Sequence, residues 1–290
     1  MRRIPAVFIL FAVLTRAADF SGESAYEFTR RAIEFGPRPS SSEAIKGLQV
    51  YILEQLKTCI CEVIQDNFIA RTPRGDVAMK NIIARFPARF SANGTPRAIA
   101  VTGHYDTKYF PGRKFVGASD GGSSTGLLLE LARVLTGEAH PNDVYVVFFD
   151  GEEAVGEWTN TDKLYGSRHL VSKWRADGTL SRIRAVFNVD MIGDRKLNIK
   201  KVSNGSRGLV ELVWSVAEDL GYSRYFLQEE IAIDDDHMPF LEAGVGAVDL
   251  IDFDYEPWHE DSDTLDKLSP NSLEVVGRVV HEVVKRFDTM

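Results

Sequence analysis

Apolar positions follow two rhythms that alternate along the chain. From Ser21 to about Leu56 the rhythm is helical: Ala25, Phe28, Ala32 and Ile33 recur on one side until Gly36-Pro37-Arg38-Pro39 stops the run. Ser40 to Ser42 can cap a second helix carrying Ile45, Leu48, Ile52 and Leu56. Strand-like runs follow near Cys61 to Ala70 and Lys80 to Phe86, and Ser91 to Arg97, with Asn93-Gly94 inside it, reads as a turn. Ala98 to Thr102 is a short apolar strand, Thr107 to Ser119 a glycine-containing loop, and Gly121 to Leu135 a helix. Val144 to Phe149 is apolar at every position, the mark of a strand buried on both faces of a sheet. Beyond it the pattern predicts helices at Ser167 to Trp174, Gly208 to Leu220, Met238 to Glu242 and Asn271 to Phe287. Strands are predicted at Ile183 to Val189 and Gly246 to Ile251.

Strands that alternate with helices require an α/β protein with helices on both faces of a mostly parallel, mixed central sheet. No repeat, low-complexity tract or linker divides the pattern, so we expect one three-layer sandwich domain over residues 18–290. Residues 1–17 stand apart. A basic start at Arg2-Arg3, an apolar run from Ile4 to Leu14 too short to span a bilayer, and Ala17 read as a secretory signal peptide. That makes the mature chain periplasmic or secreted. A net charge of −8 and the absence of a basic patch exclude a nucleic-acid partner, and no transmembrane segment is expected. Cys59 and Cys61, the chain's 2 cysteines, are too close for an unstrained bridge and are expected to be free. Nothing in the pattern sets an oligomeric state.

The chemistry sits where the strands stop. His104 and Asp106 follow one strand, Asp120 precedes a helix, and Glu152-Glu153 follow the Val144 to Phe149 run. Asp190 ends another strand, and His259 lies beyond the last. Carboxyl ends of parallel strands line a common crevice, and mixed carboxylate and imidazole donors suit zinc. Taken alone, a Glu-Glu pair reads more readily as a solvated acidic turn. The ligands must be gathered from across the chain, so spacing by itself decides little.

Order decides more. His104-Tyr105-Asp106, Asp120, Gly151-Glu152-Glu153, Asp190 and His259 follow the sequence of the zinc aminopeptidase-type fold. Within it, the chain resembles the animal-type glutaminyl cyclases. The resemblance runs through His104 to Phe110, Phe115 to Asp120, Phe148 to Ala154, Trp158, Leu164 to Leu170, Asp235 to His237 and Trp258-His259. It covers nearly the whole mature chain.

The resemblance implies a conversion of N-terminal glutamine in peptides and proteins to pyroglutamate with loss of ammonia, using one zinc per chain. Asp120, Glu153 and His259 would hold the metal, Glu152 would serve as general acid and base, and Asp190 and Asp235 would hydrogen-bond each other near the leaving nitrogen. Trp158 and Trp258 would wall the glutamine side chain, Lys108 would face the substrate, and His237 would play a supporting part. Which aspartate of the Asp234 to Asp236 run faces the site stays open. The chain also departs from the family. Glu260 replaces a threonine after the histidine ligand, and Gly103 and Thr125 stand where animal enzymes carry a disulfide. A competing reading is a dinuclear zinc aminopeptidase, in which His104 and Asp190 complete a second metal site bridged by Asp120.

Overall fold

The computed structural model describes residues 19–89 and 97–289. The signal segment and most of the Asn93-Gly94 turn lie outside the described residues. Two helices, α1 (Gly22–Ile33) and α2 (Glu43–Leu56), open the fold, and the hydroxyls of Ser21 and Ser42 accept backbone N–H groups of their first turns. A long hairpin follows, β1 (Glu62–Thr72) with β2 (Gly75–Phe86), paired antiparallel from Glu62–Arg85 to Thr72–Gly75. The remaining large-sheet strands are β3 (Ala98–His104), β4 (Asp143–Phe149), β5 (Ile183–Asp190) and β8 (Ala247–Ile251). Their order is β1-β2-β4-β3-β5-β8, with β4, β3, β5 and β8 mutually parallel.

The register explains the apolar run seen in the sequence. Val144, Val146 and Phe148 join a core formed with α1, α2, α3 (Gly122–Leu135), α5 (Arg207–Asp219) and α7 (Pro270–Thr289). Tyr145, Val147 and Phe149 point the other way, into a core with α4 (Tyr165–Asp177) and α6 (Met238–Glu242). From Val144 to Phe149 both faces of the strand are dry, so charged side chains are excluded there. The expected three layers are therefore present. Helix α3 is buried all round, and at Gly126 an added Cβ would lie 2.1 Å from Thr29 Oγ1, which lets α1 pack against it closely.

Two strands escaped the sequence pattern. β6 (Ile199–Val202) and β7 (Phe226–Ile231) form a separate parallel pair. Lys200-Lys201 and Gln228-Glu229-Glu230 leave them half exposed, so neither shows an apolar run. Helix α4 is longer than expected because its polar last turn, ending at Gly178 (φ 84°), carries no periodic apolar signal. Among the described residues no helix is long and apolar enough to cross a membrane.

Candidate active site at the carboxyl edge of the sheet

Six chain segments deliver polar groups to one edge. β3 ends at His104, and β4 pairs with it so that His104 lies opposite Phe149, immediately before Asp150-Gly151-Glu152-Glu153. Asp106 accepts the backbone N–H groups of Glu152 (3.2 Å) and Glu153 (3.4 Å), fixing the turn that separates the two glutamates. Asp120 precedes Gly121, whose φ of +77° and 2.4 Å clearance from Asp106 O to a would-be Cβ require glycine. Asp190 ends β5, and Asp235 stands just before α6. His259 sits in the loop beyond β8 with φ 57°, a left-handed geometry uncommon for a non-glycine residue. Trp258 stacks on its ring at 4.4 Å, and Phe110 and Phe115 meet it edge-on.

The donors converge in two overlapping sets. Asp120, Glu153 and His259 bring ligand atoms within 4.8 Å of one another, and so do His104, Asp120 and Asp190. His259 Nε2 lies 2.9 Å from Glu153 Oε1 and 3.4 Å from Asp120 Oδ2. His104 Nε2 lies 3.0 Å from Asp190 Oδ1 and 3.2 Å from Asp120 Oδ1. Asp120 is buried and its Oδ2 has no hydrogen-bond partner. A buried carboxylate oxygen left without a donor, facing another carboxylate and an imidazole, fits a divalent cation of borderline softness.

The electrostatics separate the two glutamates. Burial alone would raise both carboxyls. At Glu153 the hydrogen bond and charge of His259, with Lys108, outweigh burial and hold the group below its ordinary range. At Glu152 burial dominates; the nearby His104 tempers it, but the charges of Asp235, Glu153 and Asp236 push the group well above its ordinary range. Burial, then the charge of Asp190, lifts Asp235 to about 7.

The Asp234 to Asp236 run resolves into three different environments. Asp234 lies at the rim, where it accepts the Trp158 indole N–H at 3.2 Å and pairs with Lys163. Asp235 lines the cavity, and Asp236 is buried behind it against the Ser167 hydroxyl. The expected Asp190–Asp235 hydrogen bond is not among those formed by the described residues. Asp190 instead engages His104, and the Asp235 carboxylate accepts the backbone N–H of Asp236. Asp190 remains close enough for its charge to raise Asp235.

Above these groups opens a cavity of about 450 Å³. Trp158 (40% exposed), Phe253 (41%) and Trp258 (42%) form its mouth, so neither tryptophan is a core residue. Lys108 lines the wall but directs its ammonium to the Ala154 carbonyl (3.2 Å) and Glu153 (3.5 Å). His237 is fully buried, with neither ring nitrogen hydrogen-bonded, and burial pushes it down to about 4. Cys59 and Cys61 are free. At Gly103 a Cβ would fall 2.7 Å from Val189 O and 2.8 Å from Ser124 Cβ, leaving no room for a cysteine there. Sequence reasoning passed over Arg38 and Asp263, buried charges that bind backbone atoms around the site. Such partners leave no motif.

The fold and this donor set define a metallopeptidase-like class. The model of peptidase family M28 matches residues 81–284, and the chain belongs to that family. Within it the similarity is to glutaminyl cyclases. The glutaminyl-peptide cyclotransferase of Drosophila melanogaster is 29% identical over 296 residues, covering 91% of this chain and 82% of its own. The crystal structure of an Acidobacteriales bacterium glutaminyl cyclase aligns with a TM-score of 0.89 at 35% identity, covering 100% of this chain and 99% of that one. A Zn-dependent exopeptidase from Parabacteroides distasonis aligns at 0.82 with 26% identity, covering 93% and 99%.

Proposed function

We propose that this chain is a zinc-dependent glutaminyl-peptide cyclotransferase acting on peptides and proteins that begin with glutamine. One observation carries the reading. A three-donor set, Asp120, Glu153 and His259, lies beside a buried glutamate outside that set, Glu152, under a cavity with an aromatic mouth. Zinc held by those three donors supplies Lewis-acid polarisation of the side-chain amide carbonyl. Glu152 takes a proton from the α-amine as its nitrogen bonds to the side-chain carbonyl carbon, and returns it to the nitrogen that leaves as ammonia. Asp235 and Asp190 flank that leaving nitrogen. Trp158 and Trp258 hold the glutamine methylenes and exclude water, which would otherwise hydrolyse the amide. We place this chemistry in a single catalytic domain, residues 18–290, exported after removal of residues 1–17.

The dinuclear aminopeptidase reading draws on the second donor set, His104, Asp120 and Asp190. His104 Nε2 lies 3.0 Å from Asp190 and 3.2 Å from Asp120, as close an approach as His259 makes to the first set, so the number of zinc ions bound per chain is what separates the readings. Incubation with a glutamine-initiated dipeptide and with an aminoacyl p-nitroanilide separates the two. Ammonia without peptide cleavage, with one zinc per chain, is expected; nitroaniline release with two zincs would overturn the cyclase reading.

A further inference from the structure

Two buried charges of opposite sign grip the loop that presents Asp120, and neither belongs to the donor sets. Arg38, in the turn between α1 and α2, is fully buried. Its guanidinium donates to the carbonyls of Val116 (2.6 Å), Gly117 (3.2 Å), Gly36 (3.1 Å) and Tyr105 (3.3 Å). Its own backbone exchanges hydrogen bonds with Thr107. One side chain therefore ties the segment leaving β3, with its His104 and Asp106, to the segment entering Asp120. A guanidinium suits this task because its rigid fork of donors can reach carbonyls on several segments at once.

Asp263 works from the opposite side. Its carboxylate accepts the backbone N–H groups of Ser119 (2.8 Å) and Asp120 (3.1 Å) and the hydroxyl of Tyr255 (2.6 Å). Its carbonyl accepts Ala118 N–H at 3.3 Å. Asp263 follows His259 by four residues in the same loop, so these bonds lock the loop carrying one donor to the loop carrying another. Between Arg38 and Asp263, the backbone from 116 to 120 is held from both sides. The loop itself is compressed: Gly117 (φ +52°) approaches Asp120 O so closely that a Cβ would lie 2.3 Å away.

We propose that Arg38 and Asp263 are positioning residues of the metal centre, presetting Asp120 and His259 at binding distance. The proposal rests on the metal assignment given above. Residues that orient metal ligands from behind cost on the order of 10- to 100-fold in metal affinity when altered. Asp263→Asn keeps shape but turns an N–H donor toward the Asp120 amide; Arg38→Lys keeps charge but loses the fork.

The test is zinc affinity, measured by competition with a chromophoric chelator, alongside thermal midpoints of the metal-free proteins. A matched control is Asp143→Asn, which removes a buried carboxylate that pairs with Arg85 at the start of β4, the far end of the strand from Glu152. Asp263→Asn and Arg38→Lys are expected to weaken zinc 10- to 100-fold, whereas the control lowers only the midpoint. Wild-type zinc affinity in both variants, with lowered midpoints, would overturn the proposal and reduce both residues to fold support. Should those variants fail to fold, Tyr255→Phe, which deletes one hydroxyl donor to Asp263, decides by the same readout: several-fold weaker zinc supports the proposal, unchanged affinity overturns it. Failure of the metal assignment looks different. There, wild type and Asp120→Asn would bind zinc equally poorly.

Discussion

Acid should weaken this fold through one residue, His237. It stands immediately before α6, two residues after Asp235, with its ring fully buried and both nitrogens unpartnered. The nearest acid, Asp249, lies 4.0 Å away, beyond hydrogen-bond distance. Burial, with the charges of Asp235 and Asp190, holds Asp249 well above the ordinary carboxyl range, which weakens it as a counter-charge for the imidazole. Burial pushes the imidazole down to about 4, against about 6.5 in an unfolded chain. The unfolded state therefore takes up the proton first. The stability tied to neutral His237 is complete above about pH 6.5 and is lost as pH falls toward 4. A difference of about 2.5 units at 1.36 kcal/mol each amounts to roughly 3 kcal/mol, a sizeable part of a typical folding free energy. Denaturant unfolding of wild type and His237→Gln between pH 7.5 and 4.5 measures it. The variant should lose stability more gently across that window, by one proton's worth of slope. Equal slopes, or a His237 resonance titrating near 6.5, would refute the argument. The paired comparison matters because His259, raised by Glu153 and Asp120 against the effect of burial, titrates with the opposite sign.

Three further outcomes follow from the site. Glu152→Gln should retain zinc yet lose on the order of 10²- to 10⁴-fold in ammonia release, the usual worth of a general acid-base group; undiminished turnover would remove Glu152 from the proton path. Trp158→Ala should raise KM for a glutamine-initiated peptide while leaving the thermal midpoint nearly unchanged, because the indole is 40% exposed and anchored only at the rim; an unaltered KM would take it out of the substrate wall. Chelation should abolish turnover and lower the midpoint, with zinc restoring both, since a ligand that binds only the folded state stabilises it. A chelated protein that still releases ammonia would exclude a catalytic metal.

What the chain discloses beforehand depends on whether a residue's role leaves a pattern. The β4 run was legible because burial on both faces excludes charged side chains from Val144 to Phe149. β6 and β7 were not, because Lys200-Lys201 and Gln228-Glu229-Glu230 face solvent and break the alternation. The donors were legible only as an ordered set, since each alone is an ordinary acid or histidine. Asp190 and Asp235 both line the cavity, but Asp190 meets His104 of β3 and not Asp235. Register across strands fixes such pairings, and a linear pattern does not contain it. Arg38 and Asp263 bind main-chain atoms, which every residue has, so their contacts leave no trace in composition or spacing.

The adjacent glutamates show how the fold turns one local motif into two chemical groups. The turn after β4 sets their backbones, and Asp106 pins both amides, so their carboxyls are committed to different neighbours. Glu153 meets His259 at 2.9 Å and Lys108 at 3.5 Å, two donors that favour the ionised form a metal ligand needs. At Glu152 burial dominates: His104 only tempers it, and the charges of Asp235, Glu153 and Asp236 add to it. Burial is therefore overridden at Glu153 and reinforced at Glu152, and the neighbours each carboxyl meets make the difference. A proton carrier needs the second environment: a group held at high affinity for protons can accept one from an amine and remain close enough to release it to a departing nitrogen. Exchanging the neighbours, not the glutamates, is what would exchange the roles.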